Sequence, residues 1–133
     1  MIIDTDAAIE PQYINQDVLD IGFFYQSDLL QFAFMTVLIE VPLFYICGYR
    51  KLKDCVYFAA VNIMTNLLLN EFLETVGYDN YWTIVCICEV FVVLLEFALC
   101  SYWLNTDNKK LFKVITFTNV VSFLSGVIYY IVL

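Results

Sequence analysis

A chain of 133 residues that is 62 % hydrophobic and only 15 % charged is too apolar for an ordinary soluble domain and too short for two domains. Its net charge of −8 argues against a nucleic-acid partner. The absence of histidine excludes a zinc site of mixed ligands.

Residues 1–28 carry Asp4, Asp6, Glu10, Asp17, Asp20 and Asp28 and no basic residue. With neither a basic leader nor a small-residue cleavage site, this stretch does not read as a signal peptide. Its second half mixes apolar and acidic residues at near-helical spacing. That pattern predicts a short surface helix lying on the outer face of a bilayer and turning inward at Asp28. Four apolar windows follow, at 29–49, 55–76, 82–104 and 111–133. Each is long enough to cross a hydrocarbon core of ~30 Å as a helix. The expected fold is therefore all-α, an integral membrane four-helix bundle with short loops.

All six basic residues lie at two places: Arg50, Lys51 and Lys53 after the first window, and Lys109, Lys110 and Lys113 at the start of the fourth. The positive-inside rule puts both places in the cytoplasm, which leaves the two termini outside.

The polar residues inside the windows are the anomaly. Glu40 sits near the middle of the first, where an ionisable group costs roughly 3 kcal/mol even on the lenient insertion scale. Pro42, two residues on, removes a backbone donor and marks a hinge. The second window has Asn62, Thr65, Asn66 and Asn70 at steps of three and four, hence on one helical face. The third has Glu89 and Glu96, seven apart on one face, and the fourth has Thr116, Asn119, Ser122 and Ser125. Lipid cannot satisfy these groups, so their faces must turn inward. Asn, Ser and Thr commonly serve as interhelical glue, but three glutamates without a deep Lys or Arg require protons, a cation, or a partner's basic residues. The five cysteines read as small buried hydrophobes, those near the basic loops staying reduced.

The two halves resemble each other. Leu38-Ile39-Glu40-Val41-Pro42-Leu43 aligns with Leu94-Leu95-Glu96-Phe97-Ala98-Leu99, and Asn62-Ile63-Met64-Thr65 with Asn119-Val120-Val121-Ser122. Each half reads Glu, basic loop, then Asn-x-x-Thr/Ser. This predicts a duplicated two-helix hairpin about an axis along the membrane normal, with Glu40 and Glu96 facing across a shared centre.

Glu-x-Pro in the first window, Asn-x-x-Thr in the second, paired Glu in the third and Asn-x-x-Ser in the fourth resemble a group of small four-span bacterial membrane proteins of unassigned function. That resemblance implies the bacterial inner membrane as location and carries no activity. Small multidrug transporters and four-span fluoride channels share the span number, but this chain's four glycines do not supply their glycine-rich signatures.

The favoured expectation is a site made by Glu40, Glu96, Glu89, Asn62, Asn66, Asn119, Ser122 and Thr65 that binds or transports a cation, proton or cationic solute. Hard oxygen ligands suit Ca²⁺, Mg²⁺, Mn²⁺ or Na⁺, with Glu40, Glu96 and Glu89 as the metal-holding carboxylates. The alternative is a non-catalytic subunit of a larger membrane complex, or a homo-oligomer, whose glutamates pair with a partner's basic residues. An intramembrane enzyme is the least favoured, because no histidine or serine–base pair accompanies the carboxylates.

Overall fold

The computed structural model describes residues 16–76 and 80–132, and among them every regular element is a helix. The four are α1 (Gln16–Ile46), α2 (Leu52–Glu74), α3 (Tyr81–Trp103) and α4 (Asn108–Val132). α2, α3 and α4 are each long and apolar enough to cross a membrane, whereas α1 offers the shorter apolar stretch Gln31–Ile46. Residues 1–15 of the acidic N-terminal segment lie outside the described residues.

Two expectations about α1 need correcting. The turn at Asp28 is absent, because one helix runs from Gln16 through Ile46 and no separate surface helix precedes it among the described residues. The helix also stops short of Tyr49, ending at Ile46. Gly48 adopts φ 111° and closes the helix in a Schellman motif. Its N–H bonds the Tyr45 carbonyl at 3.1 Å, and the Tyr49 N–H reaches back to the Phe44 carbonyl at 3.3 Å. The hydrophobic contact that accompanies such a motif is here the stacking of Tyr49 on Phe44, with centroids 4.3 Å apart. Pro42 lies inside α1, which continues past it to Ile46.

Capping fixes the other loop at this end. The Asp107 carboxylate accepts from the Lys109 N–H at 3.1 Å, and the Asp107 carbonyl starts the α4 ladder at Leu111, an N-cap arrangement. The two loops touch each other. The Lys110 ammonium stands 5.5 Å above the Tyr49 ring, and the Tyr49 and Thr106 hydroxyls are 3.4 Å apart. All six basic residues therefore gather at one end, here termed the basic end.

Each helix packs against its two neighbours in a ring of order α1, α2, α3, α4, with the diagonal pairs apart. The bundle is apolar outside and polar at its centre. Phe34, Ile46, Val90, Phe91, Tyr130 and Ile131 are among the many exposed large side chains, while Glu40, Asn62, Thr65, Glu96, Thr118 and Asn119 are buried. The buried apolar cluster lies entirely toward the basic end: Phe44, Tyr49, Cys55, Phe58, Val61, Cys100, Leu104, Leu111, Val114 and Ile115. All five cysteines are free; Cys55 and Cys100 are buried, Cys47 and Cys88 half-buried, and Cys86 exposed.

Candidate functional site: two buried carboxylates ringed by amides and hydroxyls

Glu40 and Glu96 are 1 % and 0 % exposed, one on α1 and one on the diagonally opposite α3. The Asn62 side-chain amide on α2 donates to Glu40 Oε2. The Asn119 amide on α4 donates to Glu96 Oε2 at 2.6 Å. The hydroxyls cross between halves. Thr65, one turn beyond Asn62, donates to Glu96 Oε1 at 2.7 Å, and the Ser122 hydroxyl, one turn beyond Asn119, faces the Glu40 carboxylate. Each carboxylate thus takes an amide from the helix that follows it; Glu96 also takes the Thr65 hydroxyl of α2, and the Ser122 hydroxyl of α4 stands near Glu40 in the matching place. The polar groups close into a ring around the bundle axis, and Glu96 lies within electrostatic reach of Glu40.

The amides are held as donors. Asn66 donates to Asn62 Oδ1 at 3.0 Å and to the Asn62 carbonyl at 2.9 Å. The Asn62 oxygen is thereby occupied and its N–H₂ must face Glu40. Asn119 Nδ2 also donates to the Ile115 carbonyl at 3.0 Å, which fixes that amide in the same sense. Thr65 Oγ1 additionally reaches the Asn62 carbonyl at 3.0 Å. Asn66 is therefore a support for Asn62 rather than a contact of either carboxylate.

Comparison of the chain with protein-family models, characterised proteins and solved structures gave no match. Its chemistry rests on this geometry alone.

Seven of the eight residues expected to make the site meet in or directly behind the ring: Glu40, Glu96, Asn62, Asn66, Asn119, Ser122 and Thr65. Glu89 is two turns from Glu96 on α3 and does not join it. It is half-buried and lines a groove of about 260 Å³ between α3 and α4, together with Thr116 and Asn119. The Thr116 hydroxyl is buried there without a hydrogen-bond partner. Among the described residues no three acidic or thiol side chains converge to hold a metal ion, so the grouping of Glu40, Glu96 and Glu89 around one ion is not assembled here. Pro42 is exposed on the outer face of α1, away from the ring.

Sequence reading missed the floor of the site. One turn toward the basic end from Glu40, Asn62, Glu96 and Asn119 stand Phe44, Phe58, Cys100 and Ile115, one from each helix and each 0 % exposed. Phe44 and Phe58 stack with centroids 4.1 Å apart and planes inclined by 12°. Steps of four from the polar positions would have found this layer. Its residue types, however, are those of any apolar helix face.

Proposed function

We propose that this chain is an integral membrane protein built as a duplicated two-helix hairpin, and that the Glu40–Glu96 centre binds and exchanges protons and a cation or cationic solute as part of a transport cycle. The membrane reading is supported by the inverted distribution of polarity, since a soluble monomer does not surround itself with a continuous apolar surface. The duplication is supported by the pairing pattern. Glu40 takes the Asn62 amide as Glu96 takes the Asn119 amide, and Ser122 stands toward Glu40 from the position on α4 that matches Thr65 on α2.

One observation carries the functional reading. Two enclosed carboxylates are met only by neutral donors, while all six cationic side chains lie at the basic end, outside or at the ends of the helices. Carboxylates in an apolar bundle require positive charge beside them, and protons or a bound cation must supply it. The amides present N–H rather than carbonyl oxygen to the carboxylates. Loading would need the Asn side chains to turn or the hydroxyls to give way. The basic-end layer closes the site on that side. The reading is thus of a site held shut toward the cytoplasm.

The subunit alternative requires carboxylates offered to a partner at the surface. Both central glutamates face inward, so only the half-buried Glu89 is left to serve it.

Competition between protons and cation tests the function. Adding Na⁺, Ca²⁺, Mg²⁺, Mn²⁺ or an organic ammonium to weakly buffered protein in detergent is expected to release protons, and cation affinity should rise with pH. Glu40→Gln and Glu96→Gln should each remove both effects. No proton release with any of these cations sinks the reading. The membrane topology is tested separately, in a variant lacking the native cysteines. A cysteine at Asp6 or Asp79 should react with an impermeant maleimide added to intact cells, and one at Lys109 should not; the reverse pattern inverts the orientation.

A further inference from the structure

The ring has near-symmetric bonding but unsymmetric surroundings. A groove of about 510 Å³ runs between α2 and α3 in the half away from the basic end, with walls that include Leu68, Leu69, Phe72, Ile87 and Val92. Thr65, a buried residue of α2, is among its lining residues, and the Thr65 hydroxyl holds Glu96 Oε1. On the other flank of α3, the smaller groove has Asn119 in its wall, and Asn119 holds Glu96 Oε2. Both donors to Glu96 are therefore groove walls. The groups facing Glu40, Asn62 and Ser122, line neither groove, and Phe44 and Phe58 close the floor one turn below Glu40 and Asn62.

We propose that the ligand of the central pair is an amphipathic organic cation that enters sideways along the α2/α3 groove, its apolar body lodged in the groove and its cationic head taken by Glu96 after Thr65 yields, while Glu40 stays enclosed. This rests on the cation-exchange reading above and names the class of ligand. The size of the groove falls in the range of small-molecule sites, which are apolar with few polar groups at one end. The walls offer a bare or hydrated metal ion no oxygen along the way, and Ca²⁺ asks for six or more oxygen ligands. Among the described residues no such cluster of acids exists. An alkyl-bearing cation instead matches both parts of the path: apolar walls for its body and an uncompensated carboxylate for its charge. An uncharged lipid chain would match only the first.

Dicyclohexylcarbodiimide, an apolar reagent that adds to protonated carboxyl groups, reads the access directly. The full chain in lipid nanodiscs is treated with it, and the modified glutamates are located by peptide mass, with Glu89 scored separately. Glu96 is expected to react about tenfold or more faster than Glu40. Leu68→Trp and Ile87→Trp, at exposed positions on the groove walls, should slow Glu96 without changing its rate relative to Glu40 in unfolded protein. Decyltrimethylammonium below its micellar concentration should protect Glu96, and decanol at the same concentration should not.

Equal reactivity of Glu40 and Glu96 overturns the proposal, as does indifference to both tryptophans. So does the absence of labelling on either residue when unfolded protein labels at both. Equal protection by decanol assigns the groove to an uncharged lipid chain and also overturns it. Proton release on adding Na⁺ or Ca²⁺, without protection by decyltrimethylammonium, would leave the exchange reading standing and this one refuted.

Discussion

Asn62→Leu is expected to lower stability by about 2 kcal/mol, because it leaves the enclosed Glu40 carboxylate short of a donor. Glu40→Gln is expected to cost little or to stabilise. The contrast follows from the geometry. Asn62 is 0 % exposed, so neither water nor a lysine can replace its amide. A glutamine at 40 offers an oxygen to accept from Asn62 and an N–H₂ that can donate to the Ser122 hydroxyl oxygen, and it carries no charge to desolvate. Asn119→Leu and Glu96→Gln should repeat the pattern in the other half. The Glu40→Leu, Asn62→Leu double variant should recover part of the loss of Asn62→Leu, since replacing both partners removes the unsatisfied group. Thermal midpoints in detergent at neutral pH check all five proteins. If the leucine variants are neutral and the glutamine variants are the damaging ones, the carboxylates are structural anchors and the exchange reading loses its basis.

How much of this could be read from the chain depends on what each residue costs. Glu40, Glu96, Asn62 and Asn119 were legible because a carboxylate inside an apolar run cannot face lipid, and because their spacing recurs in both halves. The amides then fell next to the carboxylates of their own hairpin. The hydroxyl bonds were not legible. Whether Thr65 serves Glu40 or Glu96 depends on the order in which four helices surround the axis, and nothing in the spacing within one hairpin encodes that order. Asn66 stands behind the ring rather than in it for a related reason. It shares a face with Asn62, but at i+4 it is nearer its own helix's amide than either carboxylate.

The α1 boundary failed at both ends for different reasons. The polar Gln26-Ser27-Asp28 triplet has the composition of a helix start. A helix already running from Gln16 leaves no free amides for such a cap to satisfy, so the chain passes through. At the other end hydropathy continues to Tyr49, whereas backbone geometry stops the helix at the glycine that can adopt φ 111°. Glu89 shows the limit of a face argument. Seven residues from Glu96 leaves it two turns away along α3, in the α3/α4 groove with Thr116 rather than in the ring.

The floor beneath the ring should give the largest single effect. Phe58→Ala is expected to destabilise the protein by about 3 kcal/mol. Phe58 is 0 % exposed and stacks on Phe44 at 4.1 Å, so truncation opens a void in a layer that also includes Cys100 and Ile115. On the membrane reading proposed above, the loss is one of packing rather than of water exclusion, because lipid tails are as apolar as the core. Phe58→Leu, which keeps most of the volume, should cost less, and Phe91→Ala on the 67 % exposed outer face should cost little. The same truncation has a consequence for access. A water-soluble carbodiimide supplied at the basic end should leave Glu40 and Glu96 untouched in the parent and modify them in Phe58→Ala, because the void lies one turn from Asn62 and so from the Glu40 carboxylate. Peptide mass on protein labelled from that side alone measures it. A Phe58→Ala protein that keeps the parent's thermal midpoint and leaves both glutamates unreactive would show that the layer neither stabilises the bundle nor closes the site, and that the closure toward the basic end has to be sought at Tyr49 and the two loops.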